Sequence, residues 1–266
     1  MKENHQKIRW TRGIITLLTM FTLSISIVVG GMLISYVVET VRETPKLNTN
    51  LFKSSQSSVI YDKNGEKLMD VGEVLRRNVE YNQIPESLID AYLSIEDSRF
   101  FTHIGFDLPR FTKAALVNLK SKDFSQGGST FTMQLIKNTY FPPGESDKYG
   151  GIGYKLQQIT LAIQTDLKLP KKQIFEYYVN QNNYGAKTRG PQKAAEYFFG
   201  KNIDQLTLSE SAFLAGTINL PNYYNPYWNL DNATKRRNEV LDLMVYHGYI
   251  EQFEADLAKS IKLEDL

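Results

Sequence analysis

From Gly13 to Val38 the chain reads GIITLLTMFTLSISIVVGGMLISYVV, without a single charged residue. A bilayer's hydrocarbon core takes roughly 20 apolar residues as a helix, so this stretch is long enough to span one with some tilt. Lys2, Lys7, Arg9 and Arg12 precede it against Glu3 alone, the bias that keeps an N-terminus in the cytoplasm. A cleaved signal peptide has a shorter apolar region and a small-x-small site after it, and neither is seen here. The expectation is a cytoplasmic tail over 1–12, one transmembrane helix over 13–38, and the remainder on the far side of a cell membrane.

Beyond the apolar stretch the chain turns polar and serine-rich. Residues 39–57 read as a stalk. The domain proper is expected over 58–266. At 266 residues and 42% hydrophobic, the chain can bury a sizeable core. Its formal charge of +2 gives no global argument for nucleic acid, and it has no cysteine for disulfides, thiol chemistry or cysteine metal sites.

Asn64-Gly65 lies between two short apolar runs, a pairing that takes the positive φ angles of a tight turn and predicts a small β-hairpin. From Pro85 onward the periodicity is helical. PESLIDAYLSIEDSRF carries Leu88, Ala91, Tyr92 and Ile95 at three- and four-residue spacing. Further helices are expected in LPRFTKAALVNLKS, STFTMQLIKNTYF, KLQQITLAIQTDLKL, KKQIFEYYVNQNNYG, PQKAAEYFFG, TLSESAFLAGTI and one long run from Asn232 to Ile261. Thr207 and Glu210 have capping-box spacing, and Gly185, Gly190 and Gly200 punctuate the later helices.

Two stretches could carry chemistry. In SIEDSRFFTHIGFD, residues 94–107, Glu96, Phe100 and His103 fall on one stripe if the segment stays helical. A carboxylate beside aromatic surface loses solvation, which raises its pKa and suits a general base. A surface acid pair followed by core phenylalanines explains the same residues. In QGGSTFTMQLIKN, residues 126–138, two glycines precede a helix start that Ser129 or Thr130 can cap. A helix N-terminus favours anions, and Thr130, Gln134 and Lys137 form a polar stripe ending in a cation. An ordinary capped amphipathic helix would look the same.

Together these stretches resemble the first two signature motifs of the family 51 glycosyltransferases. These are the peptidoglycan-polymerising domains of class A penicillin-binding proteins and of monofunctional transglycosylases. QIFEYYVNQNNYG and AAEYFFGKNIDQLTLSESAFLAGTINLPNYYNP are similar to the later parts of that domain, so the resemblance covers roughly residues 58–260. It implies a mainly α, lysozyme-like fold with the β-hairpin as lead-in. It also implies polymerisation of lipid II, by inverting transfer from an undecaprenyl diphosphate-linked glycan donor to the acceptor's 4-hydroxyl. Glu96 matches the family's proposed base, and Asp97, Phe100 and His103 match its supporting neighbours. Gly128, Ser129, Thr130, Gln134, Lys137 and Asn138 match the donor-binding second motif. Other cell-wall synthesis proteins are the partners it implies, with no nucleic acid. Mg2+ or Mn2+ accompanying the diphosphate is the only cofactor it brings into view, and no metal ligand is assigned.

The third family motif, Arg-Lys-x-x-Glu, departs here. The matching stretch is YKLQQITLA, residues 154–162, in which Lys155 is kept, Tyr154 replaces the arginine and Gln158 the glutamate that assists the leaving diphosphate. Glutamine keeps the shape but not the charge, and tyrosine lacks the guanidinium's charge and fork. No glutamate lies between Glu145 and Glu176, so no shift of register restores the motif, and Lys148 and Lys155 are the nearby cations. Met133 stands where many relatives carry glutamine. Two readings compete: an active polymerase that tolerates these replacements, or a degenerate member that binds lipid II or glycan as a scaffold. No Ser-x-x-Lys motif with its companions occurs, so the chain reads as monofunctional or as the first part of a bifunctional protein.

Overall fold

The computed structural model describes residues 2–72, 74–121, 128–141 and 151–265. The uncharged stretch lies inside one long helix, α1 (Lys2–Arg42, 41 residues). At ~1.5 Å per residue it is about 60 Å long, twice a ~30 Å hydrocarbon core. Among the described residues one helical span, Gly13–Arg42, is long and apolar enough to cross a membrane, with a mean hydropathy of 2.2 and none of its apolar window buried in the protein.

The far end of α1 is attached to the domain. It packs on α5 (Ile152–Lys168), where Gly153 admits it: a Cβ there would lie 2.7 Å from the Tyr36 hydroxyl. Thr40, one turn on, is buried and donates to the Tyr36 carbonyl. The segment read as a stalk is likewise docked. Phe52 is fully buried between Tyr140 and Tyr177, and the Tyr140 hydroxyl accepts from the Asn48 amide at 2.6 Å. One aromatic residue in a polar run, meeting partners nearly a hundred residues away, carries no local signal.

The hairpin forms as expected. β1 (Ser58–Tyr61) pairs antiparallel with β2 (Lys67–Val71) in the register Val59↔Asp70 and Ile60↔Met69. Gly65 takes φ +84, and the Asp62 carboxylate accepts from the backbone amides of Asn64 and Glu66. Two short parallel strands, β3 (Leu75–Arg76) and β4 (Thr188–Arg189), clip the lead-in to the domain.

The rest is helical: α2 (Glu86–Glu96), α3 (Leu108–Ser121), α4 (Phe131–Tyr140), α6 (Lys171–Gln181), α7 (Pro191–Phe199), α8 (Leu208–Thr217), α9 (Pro226–Tyr246) and α10 (Gln252–Ser260). At the centre, α8 is buried from Ser209 to Thr217, which its apolar circumference requires, and α2 and α9 pack against it. Thr207 and Glu210 cap α8 reciprocally. Gly216 brings α9 close, since a Cβ there would stand 2.9 Å from Arg236 and 3.2 Å from Val240. Arg237 is buried and donates to Ser209 and to the carbonyls of Ala258 and Ile261, tying α9 to α10. The long C-terminal run is therefore two helices, broken where Gly248 adopts φ +75.

Candidate functional site

The first motif does not continue as a helix. α2 ends at Glu96, and Asp97 leaves it with φ −158 and ψ 71. The expected stripe of Glu96, Phe100 and His103 is thus corrected: no helix carries it, although the Phe100 and His103 rings still meet edge to face with centroids 6.1 Å apart. Asp97, with no exposed surface, accepts from the backbone amide of Phe131 at 3.0 Å and from His103 Nε2 at 3.1 Å, with Arg110 at 3.9 Å. Its carboxylate thereby caps the first turn of α4, 34 residues away, and that long-range bond is what ends the helix. Phe100 turns into the core against Phe131 and Phe175, with the Lys171 ammonium over its ring at 4.5 Å. Fully buried, it cannot touch a substrate.

Gly105 closes the turn. It takes φ +69, and a Cβ would fall on the Ala162 carbonyl of α5. Its amide donates to Asp166 at 2.7 Å, and its carbonyl accepts from the Thr130 hydroxyl at 2.7 Å. The first motif, the second motif and α5 are locked together at this residue. Thr130 is the cap of α4, accepting from the Met133 amide, and is itself buried. Gly128 lies close against α3, where a Cβ would stand 3.2 Å from Phe111 Cα. Gln126, Gly127 and Lys148 lie outside the described residues.

The polar stripe of α4 runs from the core outward, with Thr130 buried, Gln134 half-buried, and Lys137 and Asn138 exposed. Gln134 Nε2 donates to Glu96 Oε2 at 2.8 Å, which joins the two motifs through their side chains. The other end of the same amide accepts from the Tyr178 hydroxyl of α6 at 3.4 Å. Tyr178 is a residue that sequence reasoning passed over, although it stands within the quoted QIFEYYVNQNNYG. Burial and the nearby Glu96 charge hold its phenol well above the usual range, so it remains a donor.

A set of donors gathers around Lys155 of α5. Lys155 Nζ donates to Ser129 at 2.9 Å and to Gln158 Oε1 at 3.4 Å. Burial first, and the Lys137 charge second, push the Lys155 ammonium below its usual pKa. A half-buried ammonium with a second cation near it is a site short of an anion. Gln158 is 2% exposed and its Nε2 has no partner; the Tyr154 hydroxyl beside it is buried without one in good geometry. Burial raises the Tyr154 phenol and Gln158 acts the other way, while the ring rests on Phe141. The described residues around Lys155 thus offer ammonium, amide and hydroxyl groups. That donor set does not fit a divalent cation, which needs carboxylate or other oxygen ligands. No cluster of three acids or histidines able to hold a metal occurs among the described residues.

The chain is similar to known proteins. The family model described as "Transglycosylase" matches residues 64–245. Penicillin-binding protein 1A of Streptococcus oralis is 40% identical over 231 residues, 86% of this chain and 36% of that protein. Penicillin-binding protein 1A/1B of Bacillus subtilis (strain 168) is 37% identical over 250 residues, 93% of this chain and 27% of that one. The crystal structure of penicillin-binding protein 1A from Haemophilus influenzae aligns at 26% identity with a TM-score of 0.45, covering 77% of this chain and 21% of the other. The chain spans about a third or less of the length of these relatives.

Proposed function

The chain belongs to the transglycosylase family, and from that premise we propose that it is a peptidoglycan glycosyltransferase that extends glycan strands from lipid II. The observation that carries the reading is the Gln134–Glu96 hydrogen bond, which holds a half-exposed carboxylate of the first motif beside the cationic end of the second. Glu96 takes the proton from the acceptor sugar's hydroxyl. That oxygen attacks the donor's anomeric carbon from the face opposite the diphosphate, and the bond from anomeric carbon to diphosphate breaks with inversion. Lys137, Lys155 and Ser129 meet the charge that develops on the leaving group, and the orphaned Gln158 amide is a further donor for it. Asp97 and Thr130, both fully buried, and His103, bonded to Asp97, position the two motifs.

The proposal extends to the chain's organisation: residues 13–38 cross the membrane, 1–12 are cytoplasmic, and 58–266 form the catalytic domain outside. The Tyr36–Gly153 contact supports it, because it fastens α5, two residues before Lys155, to the end of the apolar stretch. The test is the purified chain supplied with lipid II. Polymer from the native protein and at least ~100-fold less from Glu96→Gln is the expected result; equal polymer from both would remove Glu96 as the base. Gln158 and Tyr154 favour a second reading, a scaffold that binds lipid II or glycan with little turnover. It prevails if the native chain makes no polymer and Gln158→Glu combined with Tyr154→Arg does.

A further inference from the structure

A second recess, of about 440 Å³, lies outside the site just described. Tyr81, Ile84, Ile89, Leu93, Phe101 and Tyr249 give it apolar and aromatic walls. Two carboxylates stand among them, Glu86 and Asp90, one turn apart on α2. Asp90 is half-buried, and no cation pairs with it among the described residues. Burial first, and the Glu86 charge second, push its carboxyl up to about 6. The Lys172 ammonium sits over the Tyr81 ring at 5.1 Å.

A carboxylate withdrawn from water without a counter-charge is unfavourable, and a second one beside it adds repulsion. An anion would make both terms worse. A neutral apolar molecule would fill the walls and leave Asp90 unpaired. A cation on an apolar body suits this lining, because aromatic rings such as those of Phe101 and Tyr249 attract positive charge as the carboxylates do. We propose that this recess binds an organic ammonium, carried either by a small hydrophobic amine or by a lysine side chain in a peptide. The recess borders the catalytic turn: Phe101 packs on Phe100 with centroids 5.1 Å apart, and the Tyr249 phenol is raised by burial and by both Asp90 and Asp97.

The experiment uses the full chain in non-ionic detergent and reads binding directly by calorimetry, so it does not depend on polymerisation. 2-Phenylethylammonium, 2-phenylethanol and a short peptide with adjacent phenylalanine and lysine are titrated separately. The amine or the peptide saturates the native protein, and the tighter of the two identifies the source. Asp90→Asn weakens that binding about tenfold or more, and its thermal melt shows that it remains folded. Binding to the native chain also weakens from pH 7.5 to 5 as Asp90 takes up a proton. Tyr81 and Tyr249 stay neutral over this range, their phenols being raised. Binding of 2-phenylethanol as tight as that of the amine, unchanged binding by Asp90→Asn, or no binding by amine or peptide would each overturn the proposal.

Discussion

Asp90 contributes a pH dependence that can be traced to one residue. Its folded-state carboxyl is held at about 6 against an ordinary value of 3.8, so the folded chain binds this proton more tightly than the unfolded chain does. The stability it contributes is fully present below about pH 4 and is lost as pH rises through 6. Asp90→Asn should therefore melt at a higher temperature than the native chain at pH 7.5, with the gap closing towards pH 4.5, as followed by circular dichroism. A gap that stayed constant with pH would show that the substitution acts through packing instead. Gly105 is the opposite kind of residue, fixed by geometry alone. Its positive φ and the Ala162 carbonyl against its Cα leave no room for any side chain, whatever the pH.

Among the elements, the junction of α2 and α4 is the one that assembles the site. The buried Asp97 carboxylate accepts from a helix N-terminus and an imidazole at once. Asp97→Ala leaves the Phe131 amide and His103 Nε2 without an acceptor in a closed interior, which should cost about 3 kcal/mol or more. A lowered thermal midpoint, with polymerisation lost even below that midpoint, is the expected outcome; Asp97→Asn, which keeps one acceptor oxygen, should recover part of the stability. This junction also marks where the sequence stopped being readable. The helices themselves, the Asn-Gly hairpin and the Thr207–Glu210 cap were legible, because each follows from spacing within a few residues. The break at Asp97 was not. Glu96, Phe100 and His103 have the spacing of a helical stripe, and what overrides it is a bond to a residue 34 positions away. The site was legible as two motifs but not as one carboxylate held by Gln134, which Tyr178 holds in turn. The docked lead-in was hidden for the same reason, since Phe52 finds its partners far along the chain.

For the molecule as a whole, the decisive contact is that of α1 with α5. Gly153→Leu would drive a side chain into Tyr36 and Thr40 and leave the helical core of the domain untouched. The expected result is an unchanged melting temperature, a longer spin-label distance between α1 and α5, and turnover that falls several-fold in liposomes but not in detergent. An equal effect in both media would place the fault inside the catalytic cleft. A reactant dissolved in a bilayer wanders in a plane, and meets an enzyme at the rate set by lateral diffusion only if the enzyme's mouth stays in that plane. A domain swinging on a loose tether would search a volume instead, facing the sheet of substrate for a fraction of the time. On the proposed reading, the close fit at residue 153 would keep that mouth in the plane and reduce by one the number of dimensions in which the reaction must find its partner.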